Sequence, residues 1–86
     1  MELKPFTKFD WDGWAGAERF ADGSEPLIGD TDDRVVIVDA HGIQVIFQDE
    51  SCYDLQTIAP KAVAYNIKLD TVTPEGLEAL GFTRIN

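Results

Sequence analysis

Val35-Val36-Ile37-Val38 is the segment that most limits what this chain can become. As a strand it is apolar on both sides, Val35 and Ile37 on one and Val36 and Val38 on the other. Such a strand has to lie centrally in a sheet and be covered on both faces. A turn at Ala40-His41-Gly42 follows, with the glycine that a short hairpin loop favours. Beyond it, Ile43-Gln44-Val45-Ile46-Phe47-Gln48 alternates more cleanly, with Ile43, Val45 and Phe47 facing one way. The two segments read as an antiparallel hairpin at the middle of a sheet. The whole chain has only 86 residues, so it forms a single domain and can bury only about two thirds of its unfolded surface.

The remaining elements are read around that hairpin. Residues 53–58 and 63–69 suggest a second strand pair about Ala59-Pro60-Lys61, the latter segment with Val63, Tyr65, Ile67 and Leu69 at period two. Thr73 as N-cap and Pro74 as first helical residue open a short helix over residues 73–80, with Leu77 and Leu80 on one face and Gly81 as its stop. Residues 82–85 return as a last short strand. Near the N-terminus two readings compete. One is a helix over residues 11–20 capped by Asp10 or Asp12. The other is a hairpin of residues 18–20 with 25–28 about Asp22-Gly23, its second strand confined to an edge by Pro26. The hairpin is preferred because Asp-Gly is a strong turn dipeptide. The expected fold is therefore α+β: a small, mainly antiparallel meander with one short C-terminal helix packed on it. Its core is drawn from Val36, Val38, Val45, Phe47, Tyr65, Ile67, Leu77 and Leu80.

Charge is the functional anomaly. The net charge is −9, and residues 10–54 hold twelve acids against two bases, Arg19 and Arg34, while the flanking segments are close to neutral. Acidic tails are usually poor in aromatics and disordered, but this block contains Trp11, Trp14, Phe20 and Phe47 and is expected to fold. A folded acidic block projects a field over about 8 to 10 Å at physiological salt, which a basic partner would feel. Affinity for phosphate comes from Lys and Arg, so nucleic acid and anionic membranes are not expected as direct partners. No window approaches the roughly 18 apolar residues of a membrane span, and the first residues lack the apolar run of a signal peptide, so a cytoplasmic location is expected.

Catalytic and metal chemistry find little footing. Asp30-Thr31-Asp32-Asp33 alternates like the start of a calcium loop, but Val35 and His41 stand where that loop needs Gly and Glu, so it reads as a turn and no metal site is expected. The single cysteine, Cys52, excludes an internal disulfide, and the single histidine, His41, lies in a turn with no partner motif. Phosphate-binding glycine loops are absent. Neither an enzyme nor a bound cofactor is expected.

Binding is then the remaining class. Same-face strand carboxylates two residues apart lie about 6.6 Å from one another, close to the phosphate spacing along a nucleic-acid strand. Asp30, Asp32 and Asp33 precede the first strand of the central hairpin, and Asp49, Glu50 and Asp54 follow the second, so all six should converge at the end of the sheet opposite His41. These residues, with Trp11 and Trp14 as anchors for a groove with a basic rim, are the candidate partner-binding set. The expected function is a non-enzymatic, acidic protein-binding inhibitor that occupies the basic, nucleic-acid-binding surface of a partner. In size, charge and lack of catalytic motifs the chain resembles the small acidic inhibitors that phages encode against host nucleases, including anti-restriction and anti-CRISPR proteins. That resemblance is one of class and carries no residue roles. The alternative is a small structural or assembly subunit held by the aromatic N-terminal surface, acidic only for solubility.

Overall fold

The computed structural model describes all 86 residues. Six strands form one open antiparallel sheet in which each strand lies beside its neighbours in sequence: β1 (Lys4–Pro5), β2 (Leu27–Asp30), β3 (Arg34–Asp39), β4 (Gly42–Phe47), β5 (Cys52–Gln56) and β6 (Thr83–Arg84). Three helices of six residues each are inserted: α1 (Lys8–Gly13), α2 (Pro60–Tyr65) and α3 (Pro74–Ala79). The α+β meander expected from the sequence is thus present, with three helices where one was expected.

The central hairpin has the expected register, Val36 opposite Val45 and Val38 opposite Ile43. Gly42 opens β4 with a φ of 150°, and a Cβ there would lie 1.9 Å from the Leu55 carbonyl oxygen, so the hairpin accepts no side chain at this position. One face of the sheet carries Leu27, Val36, Val38, Ile43, Val45 and Tyr53 into a core closed by Ala64, Leu69, Leu77 and Phe82. The other face presents Ile28, Val35, Ile37, Gln44 and Ile46. There residues 14–18 cross the β3–β4 end, tied down by the Glu18 N–H donating to Asp39 and the Ala40 N–H donating to the Glu18 carbonyl. Both faces of β3 are covered to that extent, which leaves Ile37 buried and Val35 half-buried.

Several expectations are corrected. Residues 63–69 are not a strand. Pro60 occupies the first turn of α2, and Pro60, Ala64 and Ile67 recur at the spacing of a helical stripe, while the alternation of Tyr65 and Ile67 is incidental. Tyr65 is 67% exposed and Leu80, at the C-cap of α3, is 49% exposed, so neither belongs to the core. Phe47 and Ile67 are half-buried at its margin. It is α2 that lies across β3 and β4, and α3 leans on β6 while inserting the fully buried Leu77.

The N-terminal segment also differs. The Asp22-Gly23 turn is formed, with Gly23 at a φ of 86°, yet residues 18–20 build no strand. β2 pairs with β1 instead. Pro26 is buried just before β2, where its carbonyl accepts the Phe6 N–H at 2.8 Å, so the strand that follows it is internal and not an edge. The helix of this region is α1, capped by Thr7 and not by Asp10 or Asp12. The Thr7 hydroxyl accepts the Asp10 N–H while the Asp10 carboxylate accepts the Thr7 N–H, a reciprocal capping box.

Candidate functional site

The register that aligns Arg34 with Phe47 sets two turns side by side at one end of the sheet: residues 31–33 between β2 and β3, and residues 48–51 between β4 and β5. A hydrogen bond of 2.8 Å from the Gln48 N–H to the Asp33 carbonyl fastens one turn to the other. Five of the six expected carboxylates, Asp30, Asp32, Asp33, Asp49 and Glu50, are therefore brought to this end, all on exposed residues. Asp54 is not among them. It lies inside β5 opposite Gln44, on the second face of the sheet, and lines a cleft near His41. The expectation grouped Asp54 with the acidic end even though residues 53–58 read as a strand; in β5, which starts at Cys52, each further residue carries the chain away from that end.

The five carboxylates are not equivalent. Asp33 receives the fork of the Arg34 guanidinium, Nε and Nη2 each 3.0 Å from one of its oxygens, and the Thr31 hydroxyl as well. Together these hold its carboxyl down to about 2, with Arg34 the larger cause. Asp49 accepts the Ser51 hydroxyl and N–H, which lower it too. Asp30, Asp32 and Glu50 make no side-chain hydrogen bond in the chain and are free to meet a cation. Glu50 takes a φ of 72°, the left-handed conformation that glycine and asparagine adopt most readily.

Arg34 is the residue whose role the sequence reading missed. It appeared as one of two bases in the acidic block, at the margin of a solvated turn. Its side chain is in fact 7% exposed. Nη1 donates to the carbonyls of Leu69 and Val72, the guanidinium lies 4.6 Å from the Phe47 ring centroid, and the Asp33 fork completes its partners. A single cation thus ties the acidic turn to the loop between α2 and α3 while withdrawing its own charge from the surface.

The tryptophans are placed differently from the anchors expected of them. Trp11 packs edge-on against Phe6 at 5.2 Å, lies under Arg19, and donates its indole N–H to Glu25, which also pairs with Arg19. These contacts lower Glu25, the indole first. Trp14 lines the cleft on the second face of the sheet. Neither stands at the acidic end. The exposed aromatic of the cluster is Phe9, 82% accessible.

Chemically, the acidic end offers carboxylates to cations. Cys52 lies near that end, opposite Ile46, where burial pushes its thiol up and the Asp54 carboxylate adds to the shift. His41 stands at the other end, beside Glu18 at 3.3 Å, so the thiol and the imidazole do not meet. No three His, Cys, Asp or Glu side chains stand close enough to hold a metal ion, and no helix is long and apolar enough to cross a membrane. Compared with models of known families, with curated proteins and with solved structures, the chain matches none of them.

Proposed function

We propose that this protein is a non-enzymatic binder of a basic protein surface, and that the end of the sheet formed by residues 30–33 and 48–50 is its contact face. The observation that carries the reading is the pairing of the two turns, which concentrates five carboxylates at one end, where of the two nearby cations Arg34 is turned inward and only Arg84 stays exposed, beside Asp49. Fixed carboxylates of one sign repel each other, and concentrating them raises the field toward a basic partner and speeds encounter. Glu50 supports the same reading, because an acidic residue stands where the backbone would favour Gly or Asn. In its finer form the proposal is mimicry: the carboxylates take the place of phosphates in a cleft built for nucleic acid, and the protein acts as an inhibitor of that cleft.

The experiment is competition. A basic, polynucleotide-binding protein held by this chain should release its polynucleotide as the chain is added, and its affinity for the chain should fall steeply from low to high salt. The triple variant D30N/D32N/E50Q leaves the Asp33 and Asp49 hydrogen bonds intact and should lose this partner without loss of thermal stability. Binding as tight as the parent's would refute the contact face. Binding that is lost in the variant but insensitive to polynucleotide would keep the face and reject mimicry.

A further inference from the structure

The second face of the sheet holds a different kind of site. Where residues 14–18 cross β3 and β4 they leave a cleft of about 200 Å³, lined by Trp14, Ile37, Asp39, His41, Gln44 and Asp54 together with small glycine and alanine residues. Two of its polar residues are already engaged. Asp39 accepts the backbone N–H groups of Glu18, His41 and Gly42, and His41 faces Glu18. Gln44 and Asp54 are not. They stand directly opposite each other on β4 and β5, both half-buried, and neither side chain has a hydrogen-bond partner within the chain. Their polar atoms stay open to water and unclaimed by the chain, so both are free to pair a ligand that enters the cleft.

We propose that this cleft binds a guanidinium group, such as the head of an arginine side chain. Directly opposed residues on antiparallel strands have Cβ atoms about 5 Å apart, so the Asp54 carboxylate and the Gln44 amide oxygen can accept together from the planar fork of donors that a guanidinium presents. Trp14 supplies an indole in the same cleft, and a guanidinium stacks on an indole while an ammonium, compact and strongly hydrated, gains less. Ile37, buried beside Gln44 on β3, adds an apolar wall to the cleft. The volume accepts one side chain and falls short of the roughly 300 Å³ at which small-molecule pockets begin. An anion is opposed by Asp54 and by the net charge of the whole chain.

Arginine in a polypeptide and a free guanidinium compound present the same chemistry. Only the polypeptide form rests on the basic-partner reading above, and the site can be tested without any partner. The probes are N-acetylarginine amide, N-acetyllysine amide and a glycine-flanked arginine peptide, titrated at constant ionic strength and followed by backbone amide shifts and by tryptophan fluorescence. Arginine amide should give saturable shifts confined to residues 14–18, 37–44 and 54, with lysine amide binding several-fold more weakly. D54N, and separately Q44L, should weaken arginine about tenfold, as loss of a charge-assisted hydrogen bond implies. D30N, which removes the same charge from the acidic end, should leave it unchanged. A peptide that binds more tightly than the amide identifies a polypeptide source, and equal affinities identify a free guanidinium compound. Equal binding of lysine and arginine, or equal losses in D54N and D30N, would mean that only the overall field is felt and would overturn the site. Because the D30N/D32N/E50Q variant retains the cleft, it should still bind arginine amide even if it loses every basic partner.

Discussion

At the scale of single residues, Arg34 shows how a charge counted as surface becomes a structural tie. Arg34→Ala orphans the carbonyls of Leu69 and Val72 and removes the stacking on Phe47, and should destabilise the fold by about 2 to 4 kcal/mol in urea unfolding. Stability within error of the parent would show that water replaces the guanidinium without loss. Its partner gives a pH signature. Asp33 titrates lower folded than unfolded, from an ordinary 3.8 down to about 2, so its pairing contributes stability that is present above the unfolded value and is lost as pH falls through the folded one. Comparison with D33N isolates the effect: the stability difference between parent and variant should be widest above 3.8 and shrink steadily toward about 2. A difference that does not vary over that interval would mean the pair does not couple to folding.

At the scale of elements, α3 separates two leucines that its sequence pattern treats alike. Leu77 is fully buried, whereas Leu80 falls at the C-cap, beyond the last turn that touches β6. Leu77→Ala should cost about 2 to 5 kcal/mol and lower the melting temperature accordingly, while Leu80→Ala should change it little. Reversed magnitudes would place α3 in a different orientation on the sheet. The central hairpin, β5, α3 and β6 were legible in the sequence because each carries a signal that local physics enforces: alternation, a glycine the hairpin requires, or Thr-Pro and Gly at the two ends of a helix. Residues 63–69 misled because six helical residues are too few to display a period, and the apolar residues of the loop beyond continued the alternation by chance. The Thr7 and Asp10 spacing of the capping box was readable and was passed over in favour of the Asp22-Gly23 turn, which is real but joins no strands. The candidate site was legible as far as hairpin geometry reached. Five carboxylates followed from where the turns had to fall, and the sixth failed because Asp54, two residues past the start of β5, faces the second side of the sheet opposite Gln44 instead of the acidic end.

At the scale of the whole molecule, stability and charge pull against each other at Glu50. Glu50→Asn should stabilise the fold by up to about 1 kcal/mol through relief of the left-handed backbone, and should weaken binding of a basic partner. The backbone share of that gain should persist in about 1 M salt, where fields reach only about 3 Å. A gain that vanishes there would assign it to charge repulsion alone. The meander carries a consequence of its own for how the chain finds its shape. β2 to β5 occupy residues 27–56 and are joined by short turns, so their pairings close small loops. β1 and β6 reach their places only after residues 6–26 and 57–82 have been brought round, and closing the longer loop costs more entropy before any contact rewards it. The inner four strands can therefore form first and serve as the template on which the terminal thirds condense. Amide hydrogen exchange should preserve that history, with the slowest protons in β3 and β4 and the earliest openings at the two-residue strands that edge the sheet.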